Sequence, residues 1–126
     1  MKTRGEMENA ISDGMSHFEQ QYMGRGPNEV RVHIIDDLVV VRLKGVLTAA
    51  EKHLVKTLAP EKGRDLLKQV RSHLIEIARP TMEAMVYEIT GVKVLSLHQD
   101  ISTATGEEVV LFTLAELPLF REIKKR

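Results

Sequence analysis

Two short segments of this sequence contain residue types that could bind a ligand, and the first is Gly24-Arg25-Gly26-Pro27. Two glycines let a backbone approach a ligand closely, and the arginine between them could pair with an anion. The segment is not a phosphate-binding loop, because such a loop needs Lys and Ser or Thr at the start of a helix. Here the glycines follow a predicted helix, so a helix end and a stiff turn are the commoner use of this pattern.

The second segment contains His98 and Asp100, which lie two residues apart near the end of a predicted strand and therefore point to one face. This pair could bind a metal ion or relay a proton, but a complete metal site would need further ligands from elsewhere. Asp and Ser at a strand end more often form a hydrogen-bonded turn. Together with Gly24 to Pro27, the candidate ligand-binding residues are His98, Asp100 and Ser102.

The rest of the sequence offers no recognisable catalytic pattern. It contains no cysteine, which excludes thiolate metal sites and a Cys nucleophile. It also has no Gly-x-Ser-x-Gly segment, and three Phe, two Tyr and no Trp provide few platforms for stacking sugars or bases. The sequence therefore predicts no catalytic residue, no metal site and no cofactor.

The elements that must position these residues follow from the spacing of the apolar side chains. From Glu6 to Met23 apolar residues recur every three or four positions, which predicts a helix that ends at Gly24. Alternating residues from Val30, a tight turn at Asp36-Asp37 and a valine-rich run to Leu43 predict a β-hairpin.

Two helices are predicted after this hairpin. Thr48 and Glu51 form a capping-box pattern, which predicts a short helix from Ala49 to about Leu58. Pro60 to Gly63 should break that helix, and a longer one should follow, with a kink or brief interruption at Pro80. One face of the longer helix is predicted to be apolar and the charged residues, Arg71 among them, to be solvated. The predicted apolar face contains Leu67, Val70, Leu74 and Ile77.

The last third of the chain predicts a second hairpin, from Val92 to His98 and from Glu108 to Leu114. The order helix, hairpin, two helices, hairpin predicts an α+β fold, with a four-stranded, mainly antiparallel sheet and helices packed on one face. We expect residues 1–126 to form a single domain, with a core of about 6–114 and a C-terminal tail of 115–126. If the opposite sheet face is apolar, a second copy of the chain should cover it.

Composition limits the classes of partner. The chain has 126 residues, and eighteen Lys and Arg balance eighteen Asp and Glu. This balance holds along the whole sequence, which argues against nucleic-acid binding. No segment approaches the roughly 20 apolar residues of a membrane-spanning helix, so we expect no direct membrane insertion. The absence of cysteine and of a secretory signal in the first 23 residues predicts a cytoplasmic location.

Five groups of residues, taken together and in this order, resemble the bacterial MpsC family, also called YbcI-like. The resemblance extends from about Ile11 to Leu114. The family takes its name from a "Na+-translocating membrane potential-generating system" and has long been described as a domain of unknown function. The five groups are Gly24-Arg25-Gly26-Pro27, Leu43-Lys44-Gly45-Val46-Leu47-Thr48, Ala50-Glu51-Lys52, Thr90-Gly91-Val92-Lys93-Val94 and Asp100-Ile101-Ser102-Thr103.

The resemblance implies an accessory role and no particular reaction. In some bacteria the members are similar to a small soluble product encoded beside a two-component membrane system that takes up inorganic carbon. The leading hypothesis is therefore a cytoplasmic accessory or regulatory domain that forms a homodimer and binds a membrane transport protein. The alternative is a domain that senses a small anion, such as bicarbonate, or a nucleotide near Gly24 to Pro27. An enzyme using His98 and Asp100, or nucleic-acid binding by the basic tail 121–126, ranks lower.

Overall fold

The computed structural model describes residues 1–57 and 60–122. The helices and strands of this part of the chain follow the predicted order, which confirms the α+β class. They are α1 (Arg4–Met23), β1 (Glu29–Ile35), β2 (Leu38–Lys44), α2 (Ala49–Thr57), α3 (Pro60–Thr90), β3 (Val94–Ile101) and β4 (Glu108–Leu114).

The four strands form one sheet in the order β1-β2-β4-β3, and each neighbouring pair is antiparallel, as predicted. Each hairpin supplies one edge strand and one central strand, so the second strands of the two hairpins pair in the middle. The inner face of these central strands is the centre of the core, and α1 and α3 pack on the same side of the sheet. Its fully buried side chains are Val39, Val41, Leu43, Val110, Phe112 and Leu114.

Helix α1 begins with a capping box at Thr3 and Glu6, two residues earlier than the predicted start. The Thr3 hydroxyl accepts a hydrogen bond from the Glu6 N–H, and the Glu6 carboxylate accepts one from the Thr3 N–H. Gly24 ends the helix with φ of +79°, a left-handed conformation that favours glycine. Of the apolar residues that the spacing predicted on one face, Met7, Ile11, Met15 and Phe18 are buried against the sheet, whereas Tyr22 is 40% exposed.

Helix α3 is continuous over 31 residues, and the chain stays helical through Pro80. Of the predicted kink or brief interruption at Pro80, the interruption is therefore absent. Pro80 is exposed, so water can bind the carbonyl group that loses its hydrogen bond to the missing N–H. The predicted division into two helices is present, but residues 60–63 form the first turn of α3, where proline fits well, and are not the break between the helices.

The buried side of α3 differs from the predicted one. Val70 is 44% exposed and Ile77 is 67% exposed, although both were predicted to share the apolar face of the helix with the buried Leu67. On the side that faces the sheet, the buried charged residue Arg71 occupies a position where an apolar residue is usual. The apolar spacing along α3 therefore does not identify this side. The buried side chains among the described residues of α3 are Leu67, Arg71, Ile75, Ala78, Met82, Val86 and Thr90.

The remaining boundaries follow the predictions closely. Helix α2 begins with the predicted capping box between Thr48 and Glu51, and its predicted end at Leu58 lies outside the described residues. Strand β3 runs to Ile101, three residues further than predicted. No helix within residues 1–57 and 60–122 is both long and apolar enough to cross a membrane.

Candidate functional site

Most of the segments that resemble the MpsC motifs lie at one end of the sheet. The register pairs Glu29 with Lys44, Leu43 with Glu108 and Ile101 with Glu108, so β1 and β4 begin where β2 and β3 end. The turn at 24–27, the loop at 45–48 and the segment at 100–103 therefore share this end. We call it the Arg71 end, after the buried side chain at its centre.

Arg71 is only 2% exposed and makes an extensive set of polar contacts. Its Nε donates to Glu51 Oε2 at 3.1 Å and its Nη2 to Glu51 Oε1 at 2.9 Å, a bidentate pair. Nη2 also donates to the Val46 carbonyl at 2.8 Å. Nη1 lies 3.4 Å from carboxylate oxygens of Glu19 and of Glu108. One side chain thus joins α1, α2, α3, β4 and the loop after β2.

Three glutamates surround this single guanidinium group, and two of them are almost completely buried, Glu19 at 3% exposure and Glu108 at 1%. Burial, followed by the hydrogen bond and repulsion from Glu108, raises the pKa of Glu19 to about 8. The raised pKa favours the protonated form of Glu19, which can donate a hydrogen bond to Glu108. Glu108 also accepts a hydrogen bond from Gln99 Nε2 at 2.5 Å.

The sequence predicted the cap made by Glu51 but not the Arg71 centre. Arg71 was predicted to be solvated, which was wrong, because charged residues on helices usually are solvated. A signal was nevertheless present: Glu19 lies four residues after the buried Met15, and Arg71 lies four residues after the buried Leu67. Charged residues of opposite sign in step with two apolar stripes indicate a buried pair.

Arg25 holds the same loop from its other side. Its Nη1 donates to the Leu47 carbonyl at 3.0 Å, and its Nη2 donates to Asn28 Oδ1 at 3.4 Å. Two arginines therefore bind consecutive carbonyl groups, those of Val46 and Leu47. The helix end at Gly24 and these contacts account for the segment from Gly24 to Pro27 without a ligand, and ligand binding there stays a prediction.

Gly45 is needed where the loop passes the start of β1. Its φ of +68° lies in the left-handed region, and a Cβ atom at this position would collide with the Asn28 side chain. Asn28 also donates its N–H to the Lys44 carbonyl at 2.8 Å. The glycine therefore permits the close approach of two loops at the Arg71 end.

His98 and Asp100 lie on the same sheet face, as predicted, opposite Leu111 and Val109 of β4. Asp100 Oδ1 accepts hydrogen bonds from Lys68 Nζ at 2.6 Å and from the Ile101 N–H at 2.9 Å. These contacts, the Lys68 bond above all, hold the pKa of Asp100 below its usual range. Asp100 thus pairs with a lysine of α3.

Ser102 closes the turn between β3 and β4. Its hydroxyl accepts a hydrogen bond from the Thr105 N–H at 3.2 Å, and its carbonyl accepts one from Gly106 at 2.8 Å. Among residues 1–57 and 60–122, no group of three or more His, Asp or Glu side chains could hold a metal ion. Ligand binding at His98, Asp100 and Ser102 stays a prediction, while the turn is observed.

Residues 3–116 match the protein family described as "Na+-translocating membrane potential-generating system (MpsC)". The chain belongs to the MpsC family. It is similar to the uncharacterized protein YbcI of Bacillus subtilis (strain 168), with 38% identity over 113 residues that cover 90% of this chain and 89% of YbcI. It is also similar to the uncharacterized protein YrhF of the same organism, with 28% identity over 104 residues, 81% of this chain and 82% of YrhF. No solved structure matches the chain.

The MpsC resemblance predicted from the motif residues is thus confirmed. Of those motifs, the group that begins at Thr90 is the exception to the clustering at the Arg71 end. It lies at the C-terminal end of α3, where the Thr90 hydroxyl donates to the Val86 carbonyl at 2.8 Å and accepts from the Val92 N–H at 3.1 Å. This group ends a helix and begins the approach to β3.

Proposed function

We propose that this MpsC-family chain is a cytoplasmic accessory or regulatory domain that works as a homodimer and binds a membrane protein of an inorganic-carbon or ion transport system. The observation that carries the proposal is the face of the sheet opposite α1 and α3, which no helix within residues 1–57 and 60–122 covers. We call it the uncovered sheet face. Both central strands place alternate side chains on this face, where they remain only half-buried.

The uncovered sheet face has an apolar middle with polar edges. On this face Val40 of β2 is paired with Leu111 of β4, and Leu38 of β2 lies opposite Thr113 of β4. The apolar side chains of the two central strands therefore lie side by side. Charged residues surround this apolar middle. They are Arg31, Arg42 and Lys44 on β1 and β2, and Asp100 on β3. An apolar centre with a charged rim is the usual composition of a protein-binding surface.

The polar contacts at the Arg71 end also support a binding role. Within the described residues, every buried side-chain nitrogen and oxygen atom has a hydrogen-bond partner. The buried Arg71 and Glu108 and the partly buried Glu51 are therefore used to hold helices and strands together. Such a centre rigidifies the sheet on which a partner would dock, because a fully satisfied buried network favours one arrangement.

Capture from cells tests the proposal. Tagged wild-type chain would be recovered from cells that produce it after gentle solubilisation of membranes, and co-purifying proteins identified by mass spectrometry. Leu111→Lys places a charge in the apolar middle of the sheet face, whereas Leu119→Lys changes a side chain that is already 76% exposed elsewhere. We expect the wild type and Leu119→Lys to recover a membrane transport protein and Leu111→Lys to lose it.

Melting temperatures of the variants check that each remains folded. Equal recovery of the transport protein by Leu111→Lys would contradict the proposed use of the sheet face, and recovery of no transport protein by wild type would contradict the proposed function.

The alternative, a sensor of small anions near Gly24 to Pro27, has less support. Two nitrogen atoms of the Arg25 guanidinium already donate to the protein, so an anion would have to compete with these contacts. Calorimetry with bicarbonate and nucleotides tests this alternative, and equal heats for wild type and Arg25→Ala would remove it.

A further inference from the structure

We propose that two copies of this chain associate through the outer face of α3, in an antiparallel arrangement. The proposal rests on the homodimer of the proposed function and assigns its surface. The outer face is defined by seven positions of α3 that are spaced alternately four and three residues apart, all of them exposed. They are Leu66, Val70, His73, Ile77, Pro80, Ala84 and Tyr87.

The spacing of these positions matches the contact line of paired helices. Successive positions are 3.5 residues apart on average, which places all seven on one stripe of the helix. Such a stripe can pack against the equivalent stripe of another helix. Ile77 lies about 200° around the helix from Ile75, which is buried against the sheet. The outer face therefore points away from the rest of the chain.

The exposure of the apolar residues on this stripe is high. Ile77 is 67% exposed, Tyr87 54%, Val70 44% and Leu66 40%. Isolated apolar residues are common on protein surfaces, but a row of them along one helix, broken here only by His73, indicates an interaction surface. The stripe runs from Leu66 to Tyr87, 22 residues of the chain, which is about 31 Å of helix and long enough for several successive contacts with a second helix.

Charges at the two ends of the stripe favour a second copy in the antiparallel direction. Residues 61–68 carry three basic and two acidic side chains, a net charge of +1, and residues 76–88 carry one basic and three acidic side chains, a net charge of −2. Antiparallel association brings the positive part of each helix near the negative part of the other, whereas parallel association places parts of like net charge side by side. A two-fold axis near Ile77, the middle of the stripe, would make both ends equivalent.

The sequence predicted that a second copy of the chain would cover the opposite sheet face if that face was apolar. The outer face of α3 is a different surface. The sheet face is apolar only in its middle, and Arg31 and His33 are exposed at its β1 edge. The outer face of α3 is apolar at six of its seven positions.

Sedimentation equilibrium of the full chain measures the association. We expect the wild type to be dimeric and Ile77→Glu to raise the dimer dissociation constant by at least about tenfold. Ile35→Glu is the matched control, because Ile35 is 57% exposed but lies on the sheet face. It should leave the dimer intact. A monomeric wild type, or a dimer lost with Ile35→Glu and retained with Ile77→Glu, would overturn the inference.

Cysteine cross-linking tests the direction, because the chain contains no cysteine of its own. A disulfide needs Cα atoms within about 7 Å. Ile77→Cys should therefore link to its own copy near the axis, and Leu66→Cys should link only when mixed with Tyr87→Cys. Linking of Leu66→Cys to itself would show a parallel pair and overturn the proposal, as would failure of all three to link in a dimer.

These outcomes are separate from those of the proposed function. Ile77→Glu leaves the sheet face unchanged, so capture of a transport protein by this variant would retain the proposed function even if the α3 inference failed. If the dimer is intact but no transport protein is captured, the α3 inference would stand and the proposed function would fail.

Discussion

At the scale of single residues, the Arg71 guanidinium has the largest predicted effect on stability. Removing it leaves the carboxylates of Glu51 and Glu108 without their cation in a buried site. We expect Arg71→Met to lower the free energy of unfolding by about 3–5 kcal/mol, measured by urea denaturation. Arg79→Met is the matched control, because Arg79 pairs with Glu83 on the exposed side of the same helix and should cost less than about 1 kcal/mol. Similar losses for the two variants would contradict this description of the Arg71 centre.

Glu19 should make stability depend on pH. Its pKa is about 8 in the folded protein against an ordinary value of 4.5, so the folded state binds the proton more tightly than the unfolded chain. The stabilisation is complete below pH about 4.5, decreases as pH rises, and is lost above about 8, with a slope of at most about 1.4 kcal/mol per pH unit.

The variant Glu19→Gln isolates this effect, because the amide can still donate to Glu108 but cannot titrate. Unfolding free energies of the wild type and Glu19→Gln, measured from pH 5 to 9, should differ by an amount that changes with pH up to about 8 and is constant above it. A difference that is the same at every pH would contradict the raised pKa of Glu19.

Residue types alone predicted the parts of the site that depend on local sequence. The cap between Thr48 and Glu51 depends on neighbouring residues and was predicted, as was the helix end at Gly24. The Arg71 centre joins Glu19, Arg71 and Glu108, which are far apart in sequence, so their proximity depends on the packing of the whole sheet. Local patterns carry no information about such contacts.

At the scale of elements, the loop between β2 and α2 depends on Gly45. Alanine there would have to adopt a positive φ and would displace Asn28, so we expect Gly45→Ala to lower the free energy of unfolding by about 1–3 kcal/mol. Gly5→Ala is a suitable control, because Gly5 lies in α1 with no atom near its added methyl group and alanine favours a helix. Thermal unfolding compares the two, and an unchanged melting temperature for Gly45→Ala would contradict the requirement for glycine.

The element boundaries were predicted well where one side of an element is apolar. Strand β4 was predicted without error, since its residues alternate between the core and the uncovered face. The buried side of α3 was predicted incorrectly because Val70 and Ile77 have the same helical spacing as a buried stripe. Apolar periodicity identifies an apolar line on a helix but does not distinguish one that faces the core from one that is free to meet another helix.

At the scale of the whole molecule, two surfaces of different character lie on opposite sides of one sheet. The uncovered sheet face has an apolar middle and charged edges, and the outer face of α3 has a narrow apolar line. Sequence totals could not separate these surfaces, because the eighteen basic and eighteen acidic residues are balanced along the chain. Their separation depends on which residues the fold covers, and the two proposals assign a transport protein to one surface and a second copy to the other.

The pairing of β2 with β4 also has a consequence for the order of folding. Each hairpin joins neighbouring segments and can form within microseconds, whereas the contact between Val41 and Val110 must close a long loop that contains α2 and α3. The two halves should therefore meet late, and the search for this contact should limit the folding rate. Until they meet, Glu19 has no buried partner and titrates as an ordinary carboxyl group, so its proton is taken up as the two halves come together.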